Sequence, residues 1–100
     1  MPETQKRPWY SQPHNGWTNY ETWCVNLWLT NKPATEEMLR MLAQMNASEC
    51  WRAARLKDYV EGMAPIDGAT MFVDLLRAAL DNVNWLEIVK QHEDDDAYSI

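Results

Sequence analysis

Asn15-Gly16-Trp17-Thr18-Asn19-Tyr20-Glu21-Thr22-Trp23-Cys24-Val25-Asn26-Leu27-Trp28-Leu29-Thr30-Asn31 holds three of the chain's six tryptophans and a helix start signal. Thr18 followed by Glu21 has capping-box spacing: the Thr hydroxyl accepts from the third helical N–H and the carboxylate reaches back to the cap. A helix is therefore predicted from about Asn19. Tyr20, Trp23, Cys24, Leu27 and Trp28 recur at three- and four-residue steps and form one wide apolar face. A periodic aromatic stripe of this kind is expected to be core, with a partner-binding patch as the alternative. Asn19 and Asn26 flank the stripe and need hydrogen-bond partners there, so Asn26 is expected to fix the arm or a loop. Asn31-Lys32-Pro33 closes the helix, because proline disfavours helix at the residue before it.

Working outward, Met1 to Gly16 carries Pro2, Pro8 and Pro13 without helical periodicity and reads as an extended arm, docked through Trp9 and Tyr10. After the first helix, Thr35-Glu36-Glu37 opens a second with Met38, Leu39, Met41, Leu42 and Met45 as its stripe. Ser48 caps a third, containing Trp51, Leu56, Tyr59, Val60 and Met63, which Gly62 and Pro65 stop. Met71, Phe72, Leu75, Leu76, Ala79, Leu80 and Val83 follow the i, i+3, i+4, i+7 template and predict a fourth helix lying against the first. Asn82-Val83-Asn84 forms a junction before a last helix ending about Gln91. His92 to Ile100, with Glu93-Asp94-Asp95-Asp96, is an acidic tail. The expected architecture is all-α: a compact bundle of four to five short helices (17–91) between an extended N-terminal arm (1–16) and an acidic C-terminal tail (92–100).

One hundred residues suffice for one modest core and leave no room for a second domain. Fifteen acidic against nine basic residues give a net charge of −6, which argues against direct nucleic-acid binding, where phosphates must be neutralised. Cys24 and Cys50 have no CxxC or Cys/His companion and are expected to be reduced, semi-buried thiols. No apolar run is long enough to span a bilayer, and no apolar stretch follows the first residues as a signal peptide requires, so a cytoplasmic site is expected.

No nucleophile elbow, phosphate loop or paired carboxylates can be assembled, and three glycines cannot build a phosphate cradle. An enzyme is not expected, nor is any cofactor. His14 and His92 lack second ligands at metal spacing, so no metal is expected either. Binding residues are therefore sought among exposed charges and aromatic anchors. The charges are Arg40, Arg52, Arg55, Asp67, Asp74, Glu93, Asp94, Asp95 and Asp96; the anchors are Trp9, Tyr10 and Trp51. The acidic run is a poor phosphate mimic, because Arg40, Arg52, Arg55, Lys57 and Arg77 interrupt the acidity along the middle helices.

Asn19-Tyr20-Glu21-Thr22-Trp23-Cys24-Val25-Asn26-Leu27-Trp28 resembles the NYETW-x-V-x-LW signature of a family of small uncharacterised proteins of bacteria, phages and mobile elements. Leu75 to Val89 is similar to that family's closing LL-x-AAL-x-x-VNW-x-EI block. The two span Gly16 to about Val89. Between them Thr30-Asn31-Lys32-Pro33 stands where an Asp-Glu-rich turn is usual. The resemblance implies a helical fold and assigns no activity, catalytic residue or cofactor. The family's origin points to inhibitors of host defence, of the anti-CRISPR type, which occupy a surface on a nuclease or CRISPR effector. The leading expectation is thus a non-enzymatic protein-binding module acting in the host cytoplasm on a CRISPR–Cas effector or restriction complex by steric occlusion. Two others stand beside it: a nucleic-acid-binding accessory protein using the Lys6-Arg7 arm and the basic middle helix, and an oligomer joined through part of the Trp-rich face.

Overall fold

A computed structural model of the chain describes residues 12–93. Among them are five helices and no sheet: α1 (Tyr20–Thr30), α2 (Pro33–Ala43), α3 (Glu49–Met63), α4 (Met71–Asp81) and α5 (Trp85–Gln91). The all-α reading holds. Ser48, Thr70 and Asn84 each accept from the N–H three residues on, capping α3, α4 and α5. α2 starts at Pro33, two residues before the acidic signature. Proline at the first helical position has no N–H to leave unsatisfied, and Thr35 donates its hydroxyl hydrogen to Leu29 O at 2.6 Å instead of capping.

The shortest helix is the hub. Seven residues are far too few for a helix to persist alone. α5 survives because Trp85, Ile88 and Val89 are buried in one cluster with Leu29 of α1, Leu39 and Leu42 of α2, Leu56 of α3 and Leu80 of α4. Its tightest pairing is with α3.

Polar clasps hold both ends of α5. At its start, Asn19 caps α1 by accepting from the Thr22 N–H at 2.9 Å and the Thr22 hydroxyl at 2.6 Å, and its amide donates to Asn82 O at 2.7 Å. Thr22 Oγ1 in turn accepts from the Asn84 N–H at 2.9 Å, and the Thr18 N–H donates to Glu87 Oε1 at 3.1 Å. The cap is therefore Asn19, not Thr18. Asn19 has the extended backbone a cap requires (φ −157°, ψ 175°), while Thr18 Oγ1 accepts from Asn84 Nδ2 at 3.2 Å. The two sequence blocks that carry the family resemblance are thus hydrogen-bonded to each other.

At the far end of α5, Gln44 Nε2 donates to His92 O at 2.7 Å and His92 Nε2 donates to Asn26 Oδ1 at 2.7 Å. Arg52, only 4% exposed, donates to Ala43 O, to Ala47 O at 3.1 Å and to Glu93 at 3.1 Å. His92 and Glu93, read from sequence as the start of the tail, are tied into the body, and Asn26 holds the segment that follows α5.

Burial lowers the pKa of His92 from its ordinary 6.5; Glu36 opposes that shift and Arg40 assists it. The folded state therefore holds the imidazole neutral, while the unfolded chain takes up a proton near pH 6.5. Stability should be at its full value above that pH and fall as pH drops through the window between the unfolded and the lowered folded pKa. Urea titrations across mildly acidic to neutral pH should show this slope in the wild type, and His92→Gln should flatten it. An unchanged slope in the variant would assign it to other groups.

Candidate protein-docking face

α1 carries two different faces, and the polar one is inside. Thr22 and Leu29 are buried, Val25 and Asn26 half-buried, and Asn19 lies buried at the cap. Tyr20, Leu27 and Trp28 are exposed, Trp28 to 63%. The stripe expected to be core is thus mostly surface. The reason is chemical: Asn19, Thr22 and Asn26 find partners at Asn82, Asn84 and His92, so their burial satisfies them, and a helix has only one inward side.

The exposed stripe is held in place. Asn15 (φ 49°) and Gly16 (φ 87°) occupy the left-handed region that a tight reversing turn demands. The turn is closed by the His14 N–H on Trp17 O at 3.0 Å and the Trp17 N–H on His14 O at 2.8 Å. It lays the His14 ring against Trp23, 4.5 Å between centroids, and against Tyr20 at 5.2 Å, and Tyr20 and Trp23 lie 5.4 Å apart. Edge and tilted contacts of this kind fix ring orientation.

Beside this face runs a cleft of about 210 Å³ between α1 and α4, lined by Tyr20, Cys24, Val25, Leu76, Ala79 and Leu80, among others. The side chain of Glu21 also borders it, with its buried Oε1 lacking a hydrogen-bond partner. α4 therefore borders α1 across a gap rather than packing on it, and Met71, Phe72 and Leu75 face solvent on its outer side. A larger hollow of about 400 Å³ lies on α2, lined by Ala34, Glu37, Met38, Met41, Leu42 and Met45. It follows the side of one helix and contains no aromatic anchor.

Of the residues picked from sequence, Arg40, Trp51, Arg55, Asp67 and Asp74 are exposed. They do not form one site: Trp51 and Arg55 meet on α3, with the guanidinium 5.7 Å from the ring centroid, while Asp67 follows α3 and Asp74 is on α4. Arg52 and Glu93 are a correction. The sequence pattern predicts both as exposed contact charges, but Arg52 is an interior strut and Glu93 is its counter-ion. Trp9, Tyr10, Asp94, Asp95 and Asp96 lie outside the described residues. Cys24 is half-buried and Cys50 exposed, and both are free thiols. No helix among the described residues is long and apolar enough to cross a membrane. For Tyr20, Leu27 and Trp28 the structure favours the alternative to core, an exposed patch, while Met71, Phe72 and Leu75, expected from their spacing on the apolar stripe of α4, are surface. The signal in α1 is that its polar residues Asn19, Thr22 and Asn26 recur as regularly as its aromatic ones.

Among the described residues, five helices thus clasp the two sequence blocks together and leave an aromatic face of α1 open to solvent. The chain belongs to a family of unknown function, DUF7249, whose model matches residues 10–96. No curated protein and no solved structure matches it.

Proposed function

We propose that the protein is a non-enzymatic binding module that docks a protein partner on the α1 face formed by Tyr20, Trp23, Leu27 and Trp28. The observation that carries this reading is the exposure of Tyr20 and Trp28 beside rings already ordered by His14. Tyr and Trp dominate the energetics of protein interfaces because they bury much area while fixing few torsions. A pre-ordered face loses less entropy on binding. Arg40, Arg55, Asp67 and Asp74 surround the body with exposed charge of both signs and would steer the approach.

The resemblance to phage and mobile-element proteins supplies the partner class: a CRISPR–Cas effector or a restriction complex in the host cytoplasm, inhibited by covering its nucleic-acid-binding surface. Direct nucleic-acid binding is the weaker reading, since two of the three cations of the middle helix already have carboxylate partners within the chain: Arg52 with Glu93 in the interior, and Lys57 with Asp81 at 3.4 Å on the surface. The test is capture of Cas and restriction subunits by the tagged protein from hosts expressing those systems, alongside Trp28→Glu. The wild type should retain a defined subunit and Trp28→Glu should bind it about thirtyfold or more weakly, the scale of a hot-spot loss. Equal capture by both proteins would place the contact elsewhere. Absence of any such subunit would remove the host-defence reading.

A further inference from the structure

We infer that the cleft between α1 and α4 takes a lysine side chain of the protein partner, an inference that rests on the α1 docking face. The two sites share Tyr20, which is exposed on the face and lines the cleft. A volume of about 210 Å³ suits one inserted side chain, since a cavity of about 150 Å³ already takes a benzene ring. Val25, Leu76, Ala79, Leu80 and Val83 supply apolar walls, and Glu21 is the only charged residue among those lining the cleft. Its Oε1 atom is buried and has no hydrogen-bond partner. Neither ion pair formed among the described residues involves Glu21. Buried polar atoms are ordinarily hydrogen-bonded, so this oxygen marks where a donor fits.

The walls and the carboxylate together select the donor. An apolar stem must lie along the walls and a cation must end it, which describes lysine, a flexible four-carbon chain carrying one ammonium. Arginine fits less well, because its planar fork directs five N–H donors and one carboxylate is all the cleft offers. Oε1 is already out of water in the free protein, so pairing it with an ammonium adds no desolvation cost on that oxygen. The charge of the whole chain agrees. A net charge of −6 favours a basic partner, and a surface that holds nucleic acid carries lysines to neutralise phosphates. Seizing one of those lysines removes a phosphate contact as well as covering the surface.

Amide NMR spectra of the isotope-labelled protein, titrated with Nα-acetyl-lysine N-methylamide, test the site. Amides of residues 20–25 and 76–83 should shift and saturate in the millimolar range. The Nζ-acetylated and the arginine derivatives should bind about tenfold or more weakly. Glu21→Gln should bring the lysine derivative down to the level of its Nζ-acetylated form. Ala79→Leu, which fills the cleft and leaves the carboxylate in place, should weaken it about tenfold as well. Both variants should keep the wild-type amide pattern of α3 and α5, which shows them folded. Acetylating the lysines of the captured Cas or restriction subunit should weaken its capture by the wild type about tenfold and change its capture by Glu21→Gln little. The cleft and the face fail separately. Capture lost in Trp28→Glu, with no lysine-induced shift in the wild type, would leave the face standing and overturn the cleft; Glu21-dependent lysine binding, with capture unaffected by Trp28→Glu, would keep the cleft and overturn the face. Equal binding of the lysine and Nζ-acetylated derivatives would make the occupant an apolar side chain and overturn the assignment. So would lysine binding that emerges only in Lys6→Gln, which would make the chain's own arm the occupant.

Discussion

Replacing Arg52 with Met should cost about 3 kcal/mol of folding stability and lower the melting temperature of this 100-residue chain by roughly 10–25 °C. Met keeps the length of the stem, so the loss falls on the guanidinium alone. That group serves three acceptors: Ala43 O, near the end of α2, Ala47 O in the following turn, and Glu93 beyond α5. The magnitudes say which of the three matters. The Glu93 side chain is 20% exposed and can turn to water when its partner is gone, which limits the ion pair's share to about 1 kcal/mol. The Ala43 carbonyl cannot follow it, because that residue is fully buried, and a buried acceptor left without a donor costs about 1–3 kcal/mol; the half-buried Ala47 carbonyl adds a smaller share. Glu93→Gln, which still accepts a hydrogen bond, should therefore cost about 1 kcal/mol. Arg52→Lys should fall between them, since one ammonium cannot match a planar fork directed at three oxygens. Urea unfolding of the three variants gives the ranking. A Met variant within 1 kcal/mol of the wild type would mean that water reaches those carbonyls.

Arg52 also marks where sequence reading stops. Spacing and caps were enough to place α3, α4 and α5, because Ser48, the Gly62 and Pro65 stop, and the Asn82-Val83-Asn84 junction act through local chemistry. Which way a helix faces is decided by partners distant in the chain. Arg52 sits on α3 between exposed Trp51 and Arg55, and nothing nearby distinguishes the arginine that folds inward. Its partner Glu93 lies forty-one residues on, in a segment whose composition reads as solvated tail. α1 is the sharper case. Its aromatic stripe and its Asn19–Thr22–Asn26 stripe are equally periodic, and hydrophobicity alone selects the former as core. The outcome is decided by Asn82, Asn84 and His92, which offer the polar stripe a complete set of hydrogen bonds. The open aromatic face that the functional reading depends on follows from that choice. It was therefore legible only once the far end of the chain was in place.

Asn19→Asp tests that choice most directly, because it separates capping from clasping. As plain helix caps, Asp and Asn are equivalent, and the extra charge at a helix N-terminus is if anything favourable. Here the position has a second duty. The Asn19 amide donates to Asn82 O at 2.7 Å, and the oxygen that replaces it in Asp would face that carbonyl with no hydrogen between them. The Asp variant keeps both bonds from Thr22 but gains this repulsion, and should lose about 2 kcal/mol where a simple cap would lose nothing. Asn19→Ala should lose about 3 kcal/mol: about 1 for the cap, and the remainder for the Asn82 contact and a fully buried Thr22 hydroxyl deprived of its acceptor. The clasp further predicts coupling across the chain. Thr22→Val removes the acceptor of the Asn84 N–H, so its effect and that of Asn19→Ala should fall well short of additive in the double variant. Additive losses, or an Asp variant as stable as the wild type, would reduce Asn19 to an ordinary cap. The inward orientation of the polar stripe would then need another cause.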